Sequence, residues 1–383
     1  MKRREVMIGG VALFTAGCST VPTSLSPAKM PKITGGLHQI GKARGINVGS
    51  ATGSGPANSG SFKNPQYTQL LKNDCGMIVA ENEMKWQAIR PHVDEFDFTD
   101  FDDQVAFARA NNMDIRGHTL LWHRPEWMPK WLEEYDFGAN PIKEAEHILT
   151  RHIAAVCQRY KGMIKSYDVV NETVLPENKL ASTALSRAMG GTLELVDLAF
   201  HTARQHAPNT QLVYNDYMSW EDGNEGHRKG VLSLLEGFKK RGVPVDALGI
   251  QSHIRLDNMG SVASQVAKQS APWREFLNEV TAMGYDILIT EFDVNDQLLP
   301  ADIGIRDAAV AAYAKEYLDL MFNYPQVKEF LLWGMCDPYS WLQDFKPLRE
   351  DGMPKRPLPY DMNFNKKPLY DSISQSLSHA PKR

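Results

Sequence analysis

Cysteine is scarce in this chain and follows no pattern. Of 383 residues four are cysteine, Cys18, Cys75, Cys157 and Cys336; with Cys18 set aside, an odd number at irregular spacing remains, which argues against a disulfide framework. None stands in a CxxC pair, so no thiolate metal site is expected. Charge of one sign is also missing. A net charge of -4 offers no basic stripe to neutralise phosphates, which argues against a nucleic-acid partner. No GxGxxG follows an early apolar run and opens a helix, so a dinucleotide fold is disfavoured and no cofactor is expected. A small neutral or polymeric neutral substrate fits this balance.

What is present is core material and aromatic surface. Hydrophobic residues make up 43% and charged residues 23% of the chain, enough for a large α/β domain. Eight Trp and 13 Tyr supply flat faces for sugar rings, although aromatics in any domain are mostly core. The N-terminus has Lys2, Arg3 and Arg4, then a mildly apolar stretch ending in Thr15, Ala16, Gly17 and Cys18. That is the layout of an export signal, too short to span a membrane as a mature helix. Arg3-Arg4 resembles a twin-arginine signal and 15–18 a lipobox, so residues 1–18 are expected to direct export to the periplasm or cell envelope, with Cys18 a lipidation site or, otherwise, secretion. Residues 19–36, rich in Ser, Thr, Pro and Gly, read as a tether. The membrane is then contacted only through the lipid anchor, and residues 37–379 form one domain, expected to be a monomer.

Strand-like and helix-like segments alternate through that domain, the pattern of a parallel sheet with crossover helices. The strand candidates are 45–49, 77–80, 114–118, 165–170, 211–215, 247–252, 286–290 and 329–334, with amphipathic segments such as 141–160, 193–206, 225–241, 273–283 and 306–323 between them. Eight β/α units over this length predict a (β/α)8 TIM barrel, whose active site lies at the C-terminal ends of its strands. Those ends carry 81–86 (ENEMKW), 117–123 (GHTLLWH), 168–172 (DVVNE), 214–217 (YNDY), 251–253 (QSH), 289–294 (ITEFDV) and 333–341 (WGMCDPYSW). Any one of these polar groups has a structural explanation as a cap or a satisfied buried group. Seven of eight strand ends so furnished go beyond what a solvated loop face needs.

Taken in order and at barrel spacing, these strings resemble glycoside hydrolase family 10, mostly endo-β-1,4-xylanases. Two carboxylates flanking a glycosidic bond act as acid/base and nucleophile when about 5 to 5.5 Å apart, or admit a water and invert when farther apart. Glu172 and Glu291 end two strands that face one mouth; the sequence leaves their separation open, and the resemblance implies retention, with Glu172 as acid/base and Glu291 as nucleophile. Two such charges about 5 Å apart at an effective dielectric of roughly 20 repel by on the order of 3 kcal/mol, about two pKa units, so one stays protonated near neutrality.

Asn171, beside the acid/base, is placed to hold the 2-hydroxyl of the sugar being cleaved. The resemblance implies that Gln251, His253 and Asp293 hold the carboxylates in position. It further implies that Glu81, Asn82 and Lys85 grip sugar hydroxyls, that His118 joins them, and that Trp122, Trp333 and Trp341 line the cleft. Trp86 reads as core. The substrate implied is xylan or its oligosaccharides, because indoles packed around a pentose leave no room for a hexose hydroxymethyl group. A zinc site is not expected: His118 and His123 are five apart and point to opposite faces of an extended segment.

Two places depart from the family pattern. Pro125 stands where Gln is usual, so that one sugar contact is either missing or supplied by Arg124 or Glu126, and Leu342 follows Trp341 where Arg is usual. The competing readings are a retaining β-1,4-glucanase or mannanase on the same barrel, and a non-catalytic carbohydrate-binding protein.

Overall fold

The computed structural model describes residues 35–55, 60–257 and 260–383. The expected export segment 1–18, its Cys18 and most of the 19–36 tether lie outside the described residues. The eight parallel strands are β1 (Asn47–Thr52), β2 (Met77–Ala80), β3 (Asp114–Trp122), β4 (Ser166–Asn171), β5 (Gln211–Asp216), β6 (Ala247–Ile250), β7 (Asp286–Asn295) and β8 (Val327–Leu332). They pair in sequence order, and β8 pairs with β1 as well as with β7, so the sheet closes into a barrel. Every strand is covered on both faces, which is why these segments are nearly continuous apolar runs rather than alternating ones.

The strand period of two sorts their side chains into an inner and an outer set. Met77 and Val79 of β2 pack inside the barrel with Ala51, Leu331 and Trp333, and Val213, Ala247 and Leu288 form a second interior group. Their neighbours Ile78, Ala80, Leu248 and Ile287 face outward into the main core beneath the helices. The helix Pro141–Arg159 shows the matching period: Ala145, Ile148, Leu149, Ile153 and Val156 are buried on one stripe, and Pro141 sits in its first turn, where the missing N–H is of no consequence. Asp302 caps Ile303–Phe322 by accepting from the Ile305 N–H at 2.9 Å. Trp86 is core as expected, stacked on buried His152 at 4.0 Å.

Three strands depart furthest from their expected limits. Gly45, at φ +84°, closes the turn after Leu37–Lys42, and β1 runs on to Thr52 in register with β2. Ser50 and Thr52 hid that continuation, because they are polar yet fully buried inside the barrel. β3 and β7 reach Trp122 and Asn295, well past 118 and 290. Cys75, Cys157 and Cys336 are buried free thiols. Among the described residues no helix is long and apolar enough to cross a membrane.

Candidate active site

Regular strands would not bring this set of side chains together; interruptions of regular pairing do. Between β3 and β4 the register slips after His118, between β4 and β5 after Asp168, and between β7 and β8 after Ile289. A bulge adds a residue to one strand and re-aims the side chains beyond it, and these three lie just below the mouth. Two non-glycine residues then take left-handed backbone: Glu172 at φ +58° and Ser252 at φ +63°, a conformation that costs roughly 1 to 2 kcal/mol. Ser252 is held there by its hydroxyl, paired with Tyr317 Oη at 2.7 Å. Its left-handed turn separates Gln251, which bonds Glu172, from His253, which approaches Glu291, so that one short segment serves both carboxyls.

The two glutamates are joined by amides. Gln251 Nε2 donates to Glu172 Oε1 at 2.8 Å and, more weakly, to Asn171 Oδ1 at 3.3 Å. Asn215 Nδ2 donates to Asn171 Oδ1 at 2.9 Å and to Glu291 Oε1 at 2.8 Å. Asn215 is itself oriented by Thr290 Oγ1, which donates to its Oδ1 at 2.7 Å. On the other side of Glu291, His253 Nε2 approaches Oε2 at 3.3 Å while its Nδ1 meets Asp293 Oδ2 at 3.0 Å. Asp293 also accepts from Trp341 Nε1 at 2.8 Å. His118 Nδ1 pairs with Asp168 at 2.9 Å, and Asp168 in turn pairs with Arg116 inside the barrel.

These surroundings drive the two carboxyls apart. Burial raises Glu172 above the ordinary carboxylate range; Gln251 and Trp122 favour the charged form, while Asp216 and Glu291 add to the rise. Burial alone would raise Glu291 too, but His118, His253 and Asn215 outweigh it and bring Glu291 down to about 2. His253, against the effect of burial, is held at about 10 by Asp293 and Glu291. The two carboxyls are thus shifted in opposite directions, Glu172 towards its protonated form and Glu291 towards its ionised form. Because Gln251 stabilises the charged form of Glu172, Gln251→Ala is expected to raise the Glu172 pKa further. The alkaline limb of the kcat/KM profile should move to higher pH, and a limb that stays or moves down would show that Gln251 has no such influence.

The end of β2 supplies a second group. Glu81 is pushed to about 8 by burial, Glu83 and Glu291, with Lys85 opposing, so near neutrality its carboxyl is a donor as well as an acceptor. Lys85 Nζ donates to Asn82 Oδ1 at 3.0 Å and lies 4.4 Å over the Trp122 ring. Glu83 is the anchor of this corner: it accepts from the Ser54 N–H, the Asn82 N–H and Gln104 Nε2 at 2.6, 3.2 and 3.0 Å. Trp333 meets His118 edge-on at 5.4 Å and Trp341 tilts against His253 at 5.0 Å. The thirteen residues singled out from sequence therefore lie at the strand-end mouth, in three linked groups from β2–β3, β4–β6 and β7–β8.

The departures resolve differently. Leu342 is buried, with its carbonyl accepting from Lys355 Nζ at 2.8 Å, so it is not part of the cleft wall. Pro125 is exposed and opens the short 3-10 turn Pro125–Trp127. Arg124 pairs with Glu126 at 2.8 Å and donates to Tyr217 Oη at 3.2 Å. His123 is buried with neither ring nitrogen bonded, and burial lowers it to about 4. No group of His, Cys, Asp or Glu suited to a metal occurs among the described residues. Sequence reasoning passed over Asn215, which connects Glu291 to Asn171. Its place in YNDY at the end of β5 was the available signal, and nothing in that string said which neighbour it would bond.

A closed parallel barrel that gathers two unequally ionised carboxyls at the C-terminal ends of its strands has the apparatus of a barrel glycosidase. The particular family emerges from comparison: residues 36–376 match the model for glycosyl hydrolase family 10, and the chain belongs to that family. It is 29% identical over 338 residues to endo-1,4-β-xylanase 3 of Hypocrea jecorina, covering 88% of this chain and 84% of that one. To endo-1,4-β-xylanase 1 of Gibberella zeae it is 30% identical, over 80% and 82% of the two chains. Native xylanase 10B from Thermotoga maritima superposes with a TM-score of 0.77 at 28% identity, over 89% of this chain and 98% of that one. Xylanase 10B from Thermotoga petrophila in complex with xylobiose gives 0.77 at 28%, over 90% and 98%.

Proposed function

We propose that the chain is an endo-β-1,4-xylanase that cleaves internal xylosidic bonds with retention, Glu172 serving as acid/base and Glu291 as nucleophile. The observation that carries this reading is the amide bridge from Glu172 through Gln251, Asn171 and Asn215 to Glu291. It ties the two carboxyls to one site and binds each through a different donor. Asn171 Oδ1 is taken by two donors, which leaves its Nδ2 to offer the substrate 2-hydroxyl. Glu81, Asn82, Lys85 and His118 hold neighbouring hydroxyls, and Trp122, Trp333 and Trp341 line the cleft with indole surface. Xylan as the polymer rests on the relatives, which are named endo-1,4-β-xylanases.

In the first step the ionised Glu291 attacks the anomeric carbon and the bond to the leaving oxygen breaks while Glu172 gives that oxygen its proton. The ester so formed is neutral, and the repulsion that helped keep Glu172 protonated disappears with the charge. Its pKa therefore falls, and in the second step Glu172 takes a proton from water as the water attacks the same carbon and Glu291 departs as carboxylate. Product analysis over time on linear xylan, with the anomers followed by NMR, tests the reading. Early mixed oligosaccharides with the β-anomer first are expected. Single xyloses from one end would overturn the endo assignment, the α-anomer first would overturn retention, and faster cleavage of cellulose or mannan would put a glucanase or mannanase in its place.

A further inference from the structure

Two aromatic rings stand among the exposed large apolar side chains of the described residues, Trp127 and Phe345, 46% and 47% exposed. Each packs on a tryptophan of the cleft. Phe345 meets Trp341 at 55°, tilted against it rather than stacked flat on it. Trp127 lies 4.6 Å from Trp122 with 10° between the planes, and Trp122 in turn sits beneath Lys85 Nζ and influences Glu172. With one face of Trp127 taken by Trp122, its exposure is on the side turned to solvent.

The turn that carries Trp127 is fastened at both ends. The Trp127 and Met128 N–H groups donate to the Arg124 carbonyl at 3.0 and 3.1 Å, and Met128 is buried. Arg124 is tied to the end of β5 through Tyr217 and to Glu126 beside it. The ring is therefore held in place before any ligand arrives, which removes most of the ordering cost of using it.

We propose that Trp127, backed by Trp122, is a sugar-stacking platform at the rim of the cleft that holds one further pyranose ring of a β-1,4-linked chain. The proposal rests on the xylanase reading and adds a specificity-determining residue to it. A pyranose chair offers an apolar C–H face matched to an indole, with hydroxyls at its rim for Arg124 or Glu126. One indole bordered by charged side chains is too small for a protein-docking face, which needs a contiguous apolar patch of roughly several hundred Å².

The test compares xylohexaose, long enough to reach the platform, with an aryl β-xylobioside that spans the cleavage point. The ratio of kcat/KM for the hexaose to that for the xylobioside is expected to fall about two- to twelvefold in Trp127→Ala, chiefly through KM on the hexaose, as loss of an aromatic stacking contact implies. Trp127→Phe, which keeps a flat face, should restore most of the ratio. An unchanged ratio in Trp127→Ala, including an equal loss on both substrates, would overturn the platform while leaving the xylanase reading intact. A wild-type enzyme inactive on both substrates would instead overturn that reading and the platform with it.

Discussion

Glu291→Ala is expected to abolish turnover on every glycoside, activated or not, by on the order of 10⁵-fold or more, as removal of a nucleophile does elsewhere. Nothing else at the mouth can replace it. Asn215 and His253 approach its two oxygens at 2.8 and 3.3 Å as donors or charge partners, and neither carries a free electron pair suited to attack a sugar carbon from that place. Truncation leaves those groups facing a space that a small anion can enter. Azide should therefore restore turnover on an aryl β-xyloside with a good leaving group, and the product should be the α-glycosyl azide, inverted because it forms in a single displacement. Recovery of the β-azide would mean that the covalent ester still forms and that Glu291 is the acid/base. Failure to fold would show in the thermal transition, where Glu291→Gln, keeping the shape and the contact to Asn215, serves as the companion variant.

The barrel was legible because both faces of its strands are covered, and runs such as 77–80 and 287–289 are apolar without interruption. The carboxylates were legible for the opposite reason: Glu172 and Glu291 interrupt or end such runs where a buried charge is costly and needs a purpose. What the residues did not disclose were the bulges, the left-handed Ser252 and the bonding choice of Asn215. A bulge depends on how two strands pair, and a side-chain amide takes its partners from elements far away in sequence, here positions 44 and 76 residues distant. Leu342 shows the same limit from the other side. Its neighbour Trp341 reaches Asp293, yet Leu342 itself turns into the core because Ser340 starts a 3-10 turn that alternates their directions.

Glu172→Ala should separate the two steps that Glu291→Ala removes together. On xylan, whose leaving group is a sugar hydroxyl needing a proton, the loss is expected to be about 10²- to 10⁴-fold, the usual contribution of a general acid. On a dinitrophenyl xylobioside the first step needs no acid and should proceed near its normal rate. The second step now lacks its base, so the ester on Glu291 accumulates, a pre-steady-state burst appears, and KM falls with kcat. Azide attacks that ester without base assistance, so it should raise kcat and yield the β-glycosyl azide, the anomer opposite to that from Glu291→Ala. The pH profile carries an independent sign. Glu172 is active while protonated, its pKa raised chiefly by burial, so wild-type kcat/KM on xylan should decline as pH rises through that value. On the dinitrophenyl substrate the variant's kcat/KM should have no such alkaline limb. Equal loss on both substrates, or an alkaline limb that survives the substitution, would move the acid/base role away from Glu172 and leave the amide bridge joining the nucleophile to a residue of another purpose.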